Sequence, residues 1–173
     1  MITFRNQVCL LLLLSLVGCK MMQGTVEVAG MKFTLPERWE AKKLVDNANA
    51  YILVINTDFE ASRARVHITR YYTPQDSHTL LGQEMEDFKG GVSKGVVYGA
   101  KEETTFAGYP GWRTTFHYDF MDIPTKGELI TFSTALSSYS VLFYHSDSEY
   151  EKFDEASMQN DLALFEQSIV SLP

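Results

Sequence analysis

Between Lys101 and Ser146 the chain reads KEETTFAGYPGWRTTFHYDFMDIPTKGELITFSTALSSYSVLFYHS, and large side chains recur there at alternate positions. Trp112, Thr114, Phe116, Tyr118 and Phe120 fall on one side of an extended chain, and Arg113, Thr115, His117 and Asp119 on the other. In the next segment Ile130, Phe132 and Leu136 share one side, while Thr131, Ser133, Ala135 and Ser137 share the other. A period of two is the signature of strands, and strands in close succession form an antiparallel meander. A turn is expected at Gly108-Tyr109-Pro110-Gly111.

The rest of the chain adds strands and two helices. Val26 and Val28 alternate, Ala29-Gly30 forms a turn, and Phe33 and Leu35 alternate on the return, so TVEVAGMKFTLPERWE reads as a hairpin ended by Pro36. Trp39 closes this hairpin as a core residue. AYILVINT reads as a strand buried on both faces, and ARVHITRYY as another strand. After Pro74, the cap-type residues Asp76 and Ser77 precede Leu81, Met85, Phe88 and Val92 at helical spacing, with Gly90-Gly91 at the exit. Ser148 and Glu151 form a capping box, and Met158, Leu162, Phe165, Ile169 and Leu172 line one face of a terminal helix. The acidic run DSEYEKFDE at its start compensates the helix dipole. The class is α+β, built on an antiparallel sheet.

The N-terminus carries VCLLLLLSLVGCK. Its apolar run is about half the ~20 residues a membrane-spanning helix needs and fits the apolar region of a signal peptide, with Arg5 ahead of it. Leu16-Val17-Gly18-Cys19 resembles the lipobox of bacterial lipoproteins. That resemblance implies cleavage between Gly18 and Cys19 and a lipid on the Cys19 sulfur. Residues 1–18 are then signal peptide, 19–25 a short tether and 26–173 a single domain. Cys9 leaves with the signal and Cys19 becomes a thioether, so neither of the chain's two cysteines is available for a disulfide or a metal. Lys20 after the cysteine, rather than Asp, implies the outer membrane, facing the periplasm, over the inner. The charge balance, 22 acidic against 15 basic residues and no Lys/Arg cluster, disfavours nucleic acid.

KFTLPERWE, FAGYPGWRTTF and FEQSIVSL, in that order, resemble the superfamily of the Mog Ran-binding protein, PsbP of photosystem II and the envelope lipoprotein DcrB. The correspondence runs from about Val26 to Leu172. It implies an antiparallel sheet flanked by helices on both faces, an α/β/α sandwich, and a role in binding or assembly. It supplies no catalytic motif to transfer. Its toxin-chaperone members are cytoplasmic, and the lipobox departs from them.

His67, His78, His117 and His145 show no metal-ligand spacing, and no nucleophile elbow or phosphate-binding glycine pattern occurs. No catalytic residue, metal or cofactor is expected. His117 with Asp119, and His145 with Asp147, put an acid two residues on, on one strand face. Alternation leaves a heavily aromatic sheet face and a small, hydroxylated one carrying Arg113, His117 and Asp119. Two readings stay open: the small residues let a helix pack closely, or the face is a polar groove in which Arg113 pairs with an anionic group. Tyr109 and Trp112 flank the expected turn as candidate protein contacts, or pack as core.

Three functions follow as expectations. The first is a non-enzymatic envelope protein, anchored by lipid, that binds or helps assemble another envelope protein. The second is an immunity-type inhibitor of a toxin. The third is a hydrolase or metal-dependent enzyme using His117 and Asp119.

Overall fold

A computed structural model describes residues 22–37, 39–47, 50–56, 64–91, 95–120, 123–146 and 155–173. The lipobox, Val92, Asp147 and the expected capping box of Ser148 and Glu151 lie outside these residues. The strands are β1 (Thr25–Val28), β2 (Met31–Thr34), β3 (Glu40–Asp46), β4 (Ala50–Asn56) and β5 (Ala64–Tyr71). Helix α1 (Ser77–Gly91) comes next, then β6 (Val97–Tyr98), β7 (Glu102–Phe106), β8 (Tyr109–Phe120), β9 (Ile123–Ser133) and β10 (Ser138–Ser146). Helix α2 (Glu155–Ser168) and β11 (Ile169–Ser171) end the chain. Eight strands form an antiparallel sheet in the order β3-β4-β5-β10-β9-β8-β6, with β7 also paired to β8. A second sheet has the order β1-β2-β11. The α+β class is therefore as read. No helix among the described residues is long and apolar enough to cross a membrane.

Two hairpins turn on the same device. Ala29 and Gly30 have φ of 47° and 77°, and Ala107 and Gly108 have 50° and 82°. Paired left-handed residues make a two-residue turn whose twist matches the flanking strands. The second turn therefore lies at Ala107-Gly108, not at Gly108 to Gly111, and Tyr109, Pro110 and Gly111 belong to β8. Pro110 is tolerated there because Phe106 and Tyr109 close the hairpin, while Pro110 lies one residue beyond the β8–β9 ladder, which starts at Gly111.

Helix α1 starts where the capping pattern placed it. Asp76 Oδ1 accepts bonds from the Thr79 hydroxyl at 2.7 Å and the Thr79 backbone N–H at 2.8 Å. These bonds hold the Asp76 carboxyl below its ordinary pKa. Leu80 and Leu81 are buried beneath the helix. Glu84 fastens it to the sheet, accepting the hydroxyls of Tyr71 and, at 2.9 Å, Ser140. Burial pushes the Glu84 carboxyl up, against the pull of these two hydroxyls.

The terminal helix is shorter than its apolar spacing suggests. It stops at Ser168, whose hydroxyl donates back to the Phe165 carbonyl at 2.7 Å. Ile169 then pairs with Phe33 in the small sheet. Ile169 and Leu172 pack against the core as the apolar stripe implies, but from β11 and the residue after it and not from a helix. Strand β3 has no clear alternation in sequence, because it is an edge strand carrying Lys42 and Lys43. Met22 exchanges backbone bonds of 2.8 and 2.9 Å with Ala41 of this strand and Thr25 opens β1, so the fold takes in residues 22–25, assigned above to the tether.

The core divides between the two faces of the large sheet. On one, Phe132, Val141 and Phe143 meet Phe33 and Met31 of the small sheet and Phe165 of α2. Phe132 stacks on Tyr139 at 5.0 Å between ring centroids, and Trp39 is buried in the same cluster. On the other, Leu81, Met85 and Phe88 of α1 meet Phe116 and Leu129.

Candidate functional site

The β8–β9 register decides which side chains meet. Trp112 lies opposite Thr131, Arg113 opposite Ile130, Thr115 opposite Glu128 and His117 opposite Lys126. Facing residues of paired strands share a face, so Arg113, Thr115, His117 and Asp119 share theirs with Ile130 and Phe132. The aromatic side of β8 shares its own with Leu129 and Thr131. The two faces are therefore not aromatic and hydroxylated, as alternation strand by strand suggested. The pairing runs from Gly111 opposite Phe132 to Phe120 opposite Ile123, and a shift of one residue would exchange the faces of one strand relative to the other.

Two of the small hydroxylated residues serve the start of α1, and a third bonds to β5. Thr131 donates to the Ser77 carbonyl and Ser133 to the Gln75 carbonyl, both at 2.7 Å. Ser137 accepts from Arg70 Nε at 2.9 Å. Trp112 is half-buried, with the His78 ring edge-on at 4.5 Å between centroids. Tyr109 is half-buried and stacks on Phe132 at 5.8 Å.

On the opposite face a groove of about 300 Å³ is lined by Ala100, Glu102, Arg113, Thr114, Thr115, Glu128 and Gln159. Arg113 Nη2 lies 3.2 Å from Glu102 Oε2, and both side chains are largely exposed. Glu128 is different: its side chain is only 4% exposed. Gln159 of α2 donates to its Oε1 at 2.7 Å, while Oε2 has no hydrogen-bond partner and stands 4.0 Å from Arg113 Nη1. His117 and Asp119 are exposed farther along the same face and do not line the groove. From Arg113 to His117 is four residues, about 13 Å of strand. Among the described residues no group of three or more His, Cys, Asp or Glu is placed to hold a metal.

Glu128 is the site residue that strand reading overlooked. Its signal was present: it precedes Ile130 and Phe132 at alternate positions, and so must enter the same buried face. What could not be read is that α2 brings Gln159 to it.

Two further histidines approach side chains distant in sequence, although the buried His145 Nε2 makes no hydrogen bond. His145 Nε2 lies 3.5 Å from Asp161 Oδ2 of α2. His67 Nε2 lies 3.2 Å from the Tyr144 hydroxyl, and burial, with the Arg65 charge as a second cause, pushes its pKa down to about 4. Folded His67 thus stays neutral while the unfolded chain takes up a proton near pH 6.5. Its contribution is present above that value and lost as pH falls toward 4. Between pH 7.5 and 4.5, denaturant titration should show a loss of about 2 kcal/mol in the wild type that is absent from His67→Phe. Parallel stability curves for the two proteins would refute this assignment.

No protein-family model matches the chain, and no curated protein sequence does. Similarity is found among solved structures. A Bacteroides thetaiotaomicron protein aligns with TM-score 0.47 and 11% identity over 78% of this chain, which spans half of that protein's length. LpqN of Mycobacterium tuberculosis, described as involved in cell envelope biogenesis, aligns with TM-score 0.50 and 9% identity, over 88% of this chain and 92% of that one. The relation to LpqN is one of fold, over nearly the whole of both chains.

Proposed function

We propose that this chain is a lipid-anchored protein of the bacterial cell envelope, attached through Cys19, and a non-enzymatic binding or accessory factor for another envelope component. One observation carries the reading: Leu16-Val17-Gly18-Cys19 closes an apolar run of signal-peptide length directly ahead of a folded domain. The fold shared with LpqN, itself described as involved in envelope biogenesis, supports it. So does the resemblance of KFTLPERWE, FAGYPGWRTTF and FEQSIVSL to Mog, PsbP and DcrB, which carries with it a sheet flanked by helices on both faces. Met22 is already bonded into the domain, so the backbone of Cys19 would lie within about 11 Å of it, at most ~3.6 Å of chain per residue. The domain would then rest against the membrane surface, in the outer membrane and facing the periplasm.

The test uses a clickable palmitate analogue fed to cells expressing the wild type or Cys19→Ala, followed by crosslinking in intact envelopes. Wild type should be labelled and membrane-bound, and the variant neither. Equal labelling of both removes the anchor. A labelled protein that crosslinks to nothing beyond the Cys19→Ala control removes the accessory role.

A further inference from the structure

The buried carboxylate of Glu128 is the feature that the fold itself does not explain. A carboxylate removed from water requires donors on both oxygens or a close cation. Gln159 serves Oε1, and no donor among the described residues serves Oε2. Arg113 makes its shorter contact with Glu102, at 3.2 Å, and its Nη1 stays 4.0 Å from Glu128 Oε2. Both carboxylates and the guanidinium line the same groove, which therefore holds two negative charges and one positive. An anionic ligand is disfavoured by that balance. So is a sugar ring, since no aromatic side chain lines the groove to stack against it.

We propose that this groove binds a primary ammonium group on an alkyl stem, such as a lysine side chain of a peptide, with Glu128 Oε2 as its anchor. An ammonium has three donors and no acceptor. One would meet Oε2, and Thr115 and Glu102 border the same groove. A volume of about 300 Å³ admits one such side chain. Arg113, held by Glu102 at 3.2 Å, reaches Glu128 Oε2 only at 4.0 Å, so an entering ammonium competes with a long contact and not with a hydrogen bond. A charge-assisted bond to a carboxylate already out of water gains more than a surface pair, because no second desolvation of the carboxylate is needed. This inference rests on the groove alone and is independent of lipidation at Cys19.

The experiment titrates full-length, ¹⁵N-labelled protein in detergent micelles and amine-free buffer with N-acetyl-lysine methylamide. The norleucine counterpart, which has the stem but no ammonium, is the control. Saturable shifts of the Ala100, Arg113 and Thr115 amides are expected with lysine and not with norleucine. Glu128→Gln should weaken binding about tenfold. Glu102→Gln, at an exposed position that leaves the fold intact, should also weaken it, by freeing Arg113 to pair with Glu128. Equal shifts from the two compounds, no saturable shift in the wild type, or wild-type affinity in both variants would overturn the proposal.

Discussion

Phe132→Ala is expected to lower the free energy of unfolding by about 3–5 kcal/mol, the usual cost of truncating a fully buried aromatic residue. Phe132 has no exposed surface and sits where several elements converge. Its ring stacks on Tyr139 at 5.0 Å, lies 5.5 Å from Phe106 of β7 and 5.8 Å from Tyr109 of β8. Removing it opens a cavity that the surrounding strands cannot close without breaking their ladders. Urea unfolding followed by tryptophan fluorescence measures the loss, since Trp39 lies in the same cluster. A loss under about 1 kcal/mol would mean that the aromatic stack contributes area without shape, contrary to close packing. Phe132→Leu should recover part of the loss.

Gly127→Ala should destabilise by about 3 kcal/mol, although it adds a single methyl group. A Cβ at this position would meet the Phe143 carbonyl oxygen far inside contact distance and Phe116 Cζ at 2.6 Å. The first is backbone of β10 and cannot move aside. The second is the ring that lies across the glycine and makes an edge contact with Phe88 of α1, 5.1 Å between centroids. Gly127 is thus the point where two neighbouring strands and a helix close on one position. A glycine within a strand usually weakens it, and one kept there marks such a close approach. The comparison is Gly90→Ala, where nothing stands within 4 Å of the added carbon and helix propensity favours alanine. Thermal unfolding should rank Gly127→Ala far below wild type and Gly90→Ala at or above it. Similar melting temperatures for the two variants would refute the packing argument.

Legibility in sequence followed the range of the interaction. The Ala29-Gly30 turn and the Asp76 cap rest on contacts within a few residues, and they stand as read. The strand expected to run through Leu136 and Ser137 instead ends at Ser133, and Leu136, placed by alternation beside Ile130 and Phe132, is exposed in the connection that follows. Strand β3 was hidden because edge position removes the need for alternation. The turn at Ala107-Gly108 was displaced because Pro110 and Gly111, ordinary turn residues, here occupy a strand for reasons of ladder geometry and close packing. The end of α2 was misplaced because Ile169 satisfies a helical stripe and a strand pairing equally well, and only β2 decides between them.

The site shows the same division. Arg113, Thr115, His117 and Asp119 share a strand face by the period of two alone. That Arg113 would meet Glu102 and Glu128, while His117 and Asp119 stand apart, depends on two pairings and on α2. The residue that joins Arg113 in the groove is thus a glutamate fifteen residues along the chain, and not the histidine and aspartate on its own strand.

The amino-acid sequence by itself determined the α+β class, the helix start at Asp76, the apolar stripes and the lipobox-like run Leu16-Val17-Gly18-Cys19. Each of these is set by residue type and short-range spacing, since backbone conformation and local hydrogen bonds act over a few residues. Only the tertiary structure decided the β8–β9 register, the return of the chain through β11, and the burial of Glu128 beside Gln159. Those depend on which of several locally equivalent pairings buries the most apolar surface without stranding a polar group. That balance is struck by the whole chain and leaves no mark at any single position.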